Sequence, residues 1–189
     1  MSILKKRWFA LFLCILVVAA STLINTRVKF GALVDDVIDS FYYGTVSDES
    51  IYDHLKTIST EAQKLVLLGK EYGIDRSVTE DVEDSVAWLQ ENVEYTRGYE
   101  NLIYENYQDI QSSLLNLENA LNHSSLSAED TALLASCDLT IANAKAAIEA
   151  SDYNSIVRSF LKAYNHFPTS NLAHAAGISM PKLFERLSY

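Results

Sequence analysis

Four histidines are the residues of this chain best suited to act as catalytic bases or as metal ligands. In a helical bundle, a two-metal site needs a Glu three residues before a ligating His. The residues three positions before His54, His123, His166 and His174 are Ile51, Ala120, Ala163 and Asn171. The motif His-Glu-x-x-His is also absent from the sequence. We therefore predict that the histidines lie at the surface or at the rim of the fold and bind no metal.

Two further groups have the spacing of a functional site but lack its chemistry. Ser179 and Lys182 have the Ser-x-x-Lys spacing, but Pro181 prevents the helical turn that would bring the amine to the hydroxyl. The acidic run at 80–84 lacks the Gly-interrupted loop of oxygen ligands that a calcium site needs, and it suits the first turns of a solvated helix. The sequence also has no glycine-rich phosphate loop. It therefore predicts neither an enzyme nor a cofactor site.

The segment near the carboxyl end carries a repeated dipeptide. Its members are Tyr153, Asn154, Tyr164 and Asn165, followed by Phe167 and Pro168. In a helix, eleven residues make about three turns, so both Tyr-Asn pairs are expected to point the same way. We favour a structural role, in which the tyrosines pack in the core and the amides satisfy backbone groups at a helix end. The alternative is that the pairs and the Phe-Pro turn dock either the tail at 171–189 or a partner protein.

This pattern resembles the carboxyl end of the LemA family of bacterial membrane-anchored proteins. The resemblance extends through Val157, Asn171, Ala173, Gly177 and the closing residues Leu183, Phe184 and Glu185, and it covers about a fifth of the chain. The Leu-Ile-Pro-Asn-Leu-Val motif of the family's first long helix is absent, so the chain resembles a divergent member. The resemblance implies one membrane anchor, a helical domain in the cell envelope and no firmly assigned reaction.

The charge of the chain is unevenly distributed. Five of the 15 basic residues, at positions 5, 6, 7, 27 and 29, precede the first acidic residue, Asp35. The remaining ten basic residues accompany all 25 acidic ones, so residues 30–189 carry a net charge of about −15. Nucleic acid and anionic lipid bind proteins through Lys and Arg, so we expect this domain to be repelled by both. Nucleic-acid binding is the function class that the composition excludes.

The amino-terminal segment has the composition of a membrane span. The residues from Trp8 through Leu16 to Ile24 are nearly all apolar and are just long enough to cross the hydrocarbon layer as a helix. Lys5, Lys6 and Arg7 precede them, so the positive-inside rule places the amino terminus in the cytoplasm. We therefore predict a single-pass protein of the cell membrane, attached through residues 8–24, with an extracytoplasmic acidic domain.

A cleaved signal peptide is the alternative interpretation of this segment. Val18 and Ala20 occupy the small-residue positions before a cleavage site at Ser21. We favour a retained signal anchor because Leu23 and Ile24 continue the apolar run beyond that site. The other interpretation is a secreted protein that cleavage releases.

The two cysteines do not predict a disulfide or a lipid anchor. Cys14 lies inside the apolar run and could not pair with Cys137 in an outer domain. Leu13 stands before Cys14, where a lipoprotein would have a small residue.

Apolar residues recur at helical spacing along the rest of the chain, and only two Pro and six Gly interrupt it. We predict an all-α fold: an N-terminal transmembrane helix followed by an antiparallel bundle of three to four long helices. The predicted divisions are a membrane anchor at 1–27, a juxtamembrane segment at 28–46 whose apolar face allows it to extend the anchor helix, and a LemA-like bundle with a tail at 47–189.

Helix boundaries follow from capping residues and glycines. We predict a helix from about Asp48, capped by Ser47 or Asp48, to a left-handed residue at Gly73. A second starts after Ser77 and ends near residue 95; a third ends near residues 122–124. The last opens at Ser127 and runs toward the Tyr-Asn segment.

The predicted function is a non-catalytic interaction or scaffold module, whose partners would be other envelope proteins. A metal- or ligand-binding envelope protein that uses the interior of the bundle is the rival from another class.

Overall fold

The computed structural model describes residues 3–46, 48–93, 100–165, 169–178 and 180–184. These residues form seven helices. They are α1 (Ile3–Tyr43), α2 (Ile51–Glu71), α3 (Arg76–Val93), α4 (Glu100–Asn122), α5 (Ala128–Ala150), α6 (Asp152–Tyr164) and α7 (Thr169–Ala175). No β-strand occurs in these ranges, where Thr45 and Asp48 form one isolated bridge. The all-α prediction is confirmed.

Helices α2 to α5 form the predicted antiparallel bundle. Between α2 and α3, the Gln63 amide donates to the Gln90 side chain at 3.2 Å, and Lys70 lies 2.6 Å from Glu83. As the residue number rises along α2, that of its partner on α3 falls, which is the register of two antiparallel helices. Helix α2 packs against α3, α4 and α5, and also against α1, so it is the central element.

Tyr72 joins the end of α2 to the start of α5. The Tyr72 hydroxyl, just after α2, donates to the carboxylate of Asp130 and accepts a hydrogen bond from the Ser127 backbone N–H at 3.0 Å. Ser127 is the predicted cap of α5, and its hydroxyl accepts from the Asp130 N–H at 3.1 Å. The end of α2 therefore lies beside the start of α5, as antiparallel packing requires.

The buried residues of the bundle are largely those that the helical spacing predicts. They include Ile51, Leu55, Ile58, Ala62, Leu65 and Val66 on α2, Val82, Val86, Leu89 and Val93 on α3, Ile103, Tyr107, Ile110, Leu114, Leu117 and Leu121 on α4, and Leu134, Cys137, Ile141, Ala144 and Ile148 on α5. Leu102 on α4 and Leu133 on α5 are exposed, because each lies one position outside the buried stripe.

Two predicted helix starts were wrong. Helix α2 begins at Ile51, and its cap is Ser50, whose hydroxyl accepts from the Asp53 N–H at 3.0 Å. Asp48 belongs instead to the loop before it, and Ser47 lies outside the described residues. Helix α3 begins at Arg76, and the Asp75 carboxylate accepts from the N–H and the hydroxyl of Ser77 at 2.8 Å. Several Ser and Asp residues lie close together before α2 and before α3. Only the path of the chain decides which of them caps the helix.

Helix α1 runs through the predicted boundary at residue 27 without a break. Its second half enters the core, where Phe30, Val37 and Phe41 are buried. The prediction that residues 28–46 extend the anchor helix is therefore confirmed as far as Tyr43. Within this segment, Phe41 packs against the bundle, whereas Tyr43 is exposed.

Helix α6 packs antiparallel against this second half of α1. The ring of Phe30 meets Phe160 and Tyr164 at centroid distances of 5.7 and 6.0 Å. At the amino end of α6, the ring of Tyr153 lies 5.8 Å from the ring of Phe41. The carboxyl end of α6 therefore lies level with Phe30, and its amino end lies level with Phe41.

Candidate functional site

The two Tyr-Asn pairs lie on α6, which begins at a sharp turn. Helix α5 ends at Ala150, and Ser151 has an extended backbone (φ −64°, ψ 150°), so the chain changes direction before Asp152. The turn leaves the last carbonyl groups of α5 without partners in their own helix. The Asn154 amide nitrogen donates to two of them, Ile148 at 2.8 Å and Glu149 at 3.2 Å. This is the contact that the structural interpretation expects of a Tyr-Asn pair.

The same asparagine also holds the tail. Its amide oxygen accepts from the Phe184 backbone N–H at 2.8 Å, and its amide nitrogen donates to the Phe184 carbonyl at 3.1 Å. Beside it, the Tyr153 hydroxyl donates to the Lys182 carbonyl at 3.0 Å. Asn154 is only 1% exposed, so these bonds form away from water, where an unpaired group is costly. We call Tyr153 and Asn154, with the segment at 180–184 that they hold, the tail clamp.

Phe184 anchors the tail in an aromatic cluster. Its ring lies 5.2 to 5.7 Å from the rings of Phe41, Tyr104, Tyr107 and Tyr153, which belong to α1, α4 and α6. Burial raises the pKa of the Tyr107 hydroxyl above its ordinary value. The segment at 180–184 therefore folds back onto the bundle. The aromatic side chains of α1 and α4 gave no sequence signal for this role, because only the fold brings them to Phe184.

The second pair does not repeat the first. Tyr164 is buried between Phe30 and Phe160, so both tyrosines face the core as expected. Asn165 is exposed, and its backbone N–H bonds the Leu161 carbonyl at 2.9 Å at the end of α6. The expectation that both pairs point the same way was therefore wrong for the asparagines. Phe167 and Pro168, the other predicted residues of this motif, lie outside the described residues.

A loop between α1 and α2 ties the start of α6 to the bundle. The Thr45 hydroxyl donates to the Asp152 carboxylate at 2.8 Å, and the Asp152 backbone N–H donates to the Asp48 carboxylate at 3.1 Å. Gly44 makes this turn possible with φ +68°. A Cβ at Gly44 would lie 2.4 Å from the Asp48 carbonyl oxygen, so no other residue fits without a shift of the backbone.

The groups considered for metal chemistry are not assembled. In the part of the chain that the structure describes, no three His, Cys, Asp or Glu side chains lie close enough to hold a metal ion. His123 and His174 are exposed, as predicted, but His54 is buried, with its Nδ1 atom 3.9 Å from Glu49. His166 is not among the described residues.

The acidic run at 80–84 forms part of a solvated face. Glu80 pairs with Arg76 and Glu83 pairs with Lys70, each at 2.6 Å. Asp81 and Asp84 line an open groove of about 360 Å³ between α3 and α4. The run thus acts as the solvated helix surface that the sequence predicts.

Two carboxylates at the α4–α5 interface are perturbed. Burial raises the pKa of Asp138 and of Glu118, and the negative charge of Asp138 raises that of Glu118 further. The Lys145 cation lowers both pKa values but does not offset the burial. Burial likewise raises the pKa of the Cys137 thiol to about 11, so it remains protonated and unreactive at neutral pH.

A second cavity lies beside the tail clamp. It has a volume of about 700 Å³ and is lined by Leu161, Tyr164, His174, Gly177, Ile178, Met180, Pro181 and Lys182. Its walls come from α6, from α7 and from the segment that returns to the clamp. The cavity is open and mainly apolar, and Lys182 and His174 supply its polar groups.

The first half of α1 is the predicted membrane segment. Trp8, Leu16 and Ile24 are 71%, 51% and 65% exposed, and the most apolar stretch of the helix has a mean hydropathy of 2.2 with none of it buried. By length and composition, α1 is able to span a membrane.

Comparisons of the chain with protein-family models, with curated proteins and with solved structures each return no match. The resemblance to the LemA family therefore stays a prediction that rests on the Tyr-Asn pattern.

Proposed function

We propose that this protein is a single-pass membrane protein whose helical bundle is a non-catalytic interaction or scaffold module of the cell envelope. The observation that carries the proposal is the change in environment along α1. One uninterrupted helix has an apolar first half, none of whose most apolar stretch is buried, and a second half that enters the core at Phe30. A soluble domain rarely leaves such a long apolar surface in water.

The length of the exposed half supports a span. The 17 residues from Trp8 to Ile24 extend about 26 Å at 1.5 Å per residue, close to the thickness of the hydrocarbon layer of about 30 Å. Lys5, Lys6 and Arg7 on one side outnumber Arg27 and Lys29 on the other. This excess favours a cytoplasmic amino terminus and an extracytoplasmic bundle.

Three features favour an interaction role over catalysis. The Tyr-Asn motif holds the chain's own tail and leads to no reactive group. The Cys137 thiol is held protonated by burial. The carboxylates at 80–84 are solvated or paired with cations. Kinship with LemA, which the carboxyl-terminal pattern suggests, is part of the same proposal.

Protease protection in wall-stripped cells tests the proposal, with a tag placed at the carboxyl terminus. We expect external protease to remove the tag while an amino-terminal tag survives until lysis. Survival of both tags would overturn the outward orientation. The mature amino terminus is read in parallel, because a chain that begins at Ser21 would be a released product and not an anchored one.

A further inference from the structure

The average acidity of the domain hides a segment of opposite charge. Residues 153–184 contain Arg158, Lys162 and Lys182 but no Asp or Glu, although 24 of the chain's 25 acidic residues lie between positions 35 and 152. This segment comprises α6 after its first residue, α7 and the part of the tail that the clamp holds. This stretch of the sequence is therefore basic and free of acidic residues.

The packing of α6 on α1 places the carboxyl end of α6 next to the proposed span. Because the two helices are antiparallel, α6 runs back toward the anchor, and Tyr164 near its end lies level with Phe30. Phe30 is six residues beyond Ile24, or about 9 Å along the helix axis. The first acidic residue of α1, Asp35, lies about 16 Å beyond Ile24 by the same rise. The charge is thus positive near the bilayer and turns negative further out.

Two lysines near Phe30 are presented to solvent. Lys162 is exposed on α6, two residues before Tyr164. Lys29 is exposed on α1 beside Phe30. We call Lys29 and Lys162 the basic end of the molecule.

We propose that the basic end binds the anionic phospholipid headgroups of the leaflet from which α1 emerges. This inference rests on the proposed membrane anchor. At physiological ionic strength, charges interact over about 8 Å, and the headgroup layer adds several ångströms beyond the hydrocarbon, so Lys29 and Lys162 are within range. Flexible lysine chains also extend toward the interface. The expectation that anionic lipid repels this domain then holds only for its more distant, acidic part.

The contact has a mechanical consequence. Helix α1 has no break between the span and the core, and the basic end adds a second attachment beside it. Two attachments fix the tilt of the bundle on the membrane, whereas the anchor alone allows it to swing. The acidic helices are pushed away from the same surface, which strengthens this orientation.

The test uses the full chain, with Cys14→Ser and an environment-sensitive fluorophore on Met180→Cys. Met180 is 48% exposed and lines the same cavity as Tyr164, and Cys137 is buried and is not labelled. The protein is reconstituted in phosphatidylcholine vesicles with or without phosphatidylglycerol. With phosphatidylglycerol present, we expect a blue-shifted emission and quenching by headgroup-labelled lipid, both of which are lost in high salt.

Charge-reversal variants provide the matched controls. Lys29→Glu with Lys162→Glu should abolish the response to phosphatidylglycerol. Lys56→Glu, which makes the same kind of change at an exposed lysine of α2, should keep it. Equal emission in both lipids, or an equal loss in Lys56→Glu, would overturn the inference. Carbonate extraction separates the two proposals: an anchored chain without the lipid response refutes the basic end alone, and release of the chain refutes the anchor as well.

Discussion

The side-chain amide of Asn154 pairs with both backbone polar groups of Phe184, at 2.8 Å to its N–H and 3.1 Å to its carbonyl. One side chain therefore forms the two hydrogen bonds that a paired backbone segment would otherwise offer Phe184. It also donates to two carbonyls at the end of α5. The clamp explains why the tail is part of the folded core.

Replacing Asn154 by Ala should destabilise the fold strongly. The Phe184 N–H and the carbonyls at the end of α5 would lose partners at a buried site, at a cost of roughly 1–3 kcal/mol for each group left unpaired. We expect a loss of at least about 2 kcal/mol in the free energy of unfolding, measured by denaturant titration. Asn165→Ala, the exposed twin, should change it by less than about 0.5 kcal/mol. Equal effects at the two positions would contradict the assignment of the clamp.

Phe184→Ala should release the tail. The ring is buried among four aromatic side chains, and truncation of a core Phe costs about 3–5 kcal/mol. Limited proteolysis should then cleave within 176–184 faster than in the parent chain. Met180→Ala, four residues earlier on the same tail but half exposed, serves as the control and should leave the cleavage rate near that of the parent.

Two glycines allow backbone strain to be separated from steric conflict. Gly44 and Gly73 have nearly the same positive φ, +68° and +67°, but a Cβ has open space at Gly73 and meets backbone atoms at Gly44. Gly73→Ala should cost roughly 1–2 kcal/mol for the left-handed conformation alone. Gly44→Ala should cost more, because the turn that holds Thr45 and Asp48 must open. Thermal melting of both variants measures the difference, and equal losses would mean that the loop yields freely.

The partly buried carboxylate of Asp138 should make stability depend on pH. Its pKa is raised by burial, so the folded state holds the proton to a higher pH than the unfolded state does, for which the ordinary value is 3.8. The resulting stability is present below that value and is lost as the pH rises through the raised pKa. Asp138→Asn should therefore raise the melting temperature at neutral pH and change it less near pH 4.

Asp75→Asn is the control of opposite sign. Hydrogen bonds from the N–H and the hydroxyl of Ser77 lower the Asp75 pKa, so its contribution is present above 3.8 and is lost as the pH falls. This variant should lower the melting temperature at neutral pH. If both variants shifted the melting temperature at neutral pH in the same direction, the opposite pKa shifts assigned to Asp75 and Asp138 would be refuted.

Much of the fold could be predicted because its signals are local. The spacing of apolar residues gave the core faces of α2 to α5, since residues three and four apart lie on one side of a helix. The long apolar run among the first 29 residues, with basic residues on both sides, likewise predicted the apolar half of α1, because composition is also a local signal. The cap at Ser127 and the left-handed Gly73 were also predictable, because each depends on its immediate neighbours.

Helix starts were less predictable where alternatives compete. Ser47, Asp48 and Ser50 can all cap a helix, and the structure uses Ser50 because Asp48 is engaged with α6. The local preference of Asp48 for capping a helix does not reveal that its carboxylate instead accepts a hydrogen bond from Asp152, 104 positions away in the sequence.

The sequence by itself determined that the chain is helical, where its apolar faces lie, and that its first helix is long and apolar enough for a membrane. Only the tertiary structure decided that Asn154 and not Asn165 holds the tail, and that Phe184 is enclosed by rings from α1, α4 and α6. The physical reason is that helical periodicity is set by neighbours within two turns. The partners of a buried amide or ring, in contrast, depend on which helices pack together.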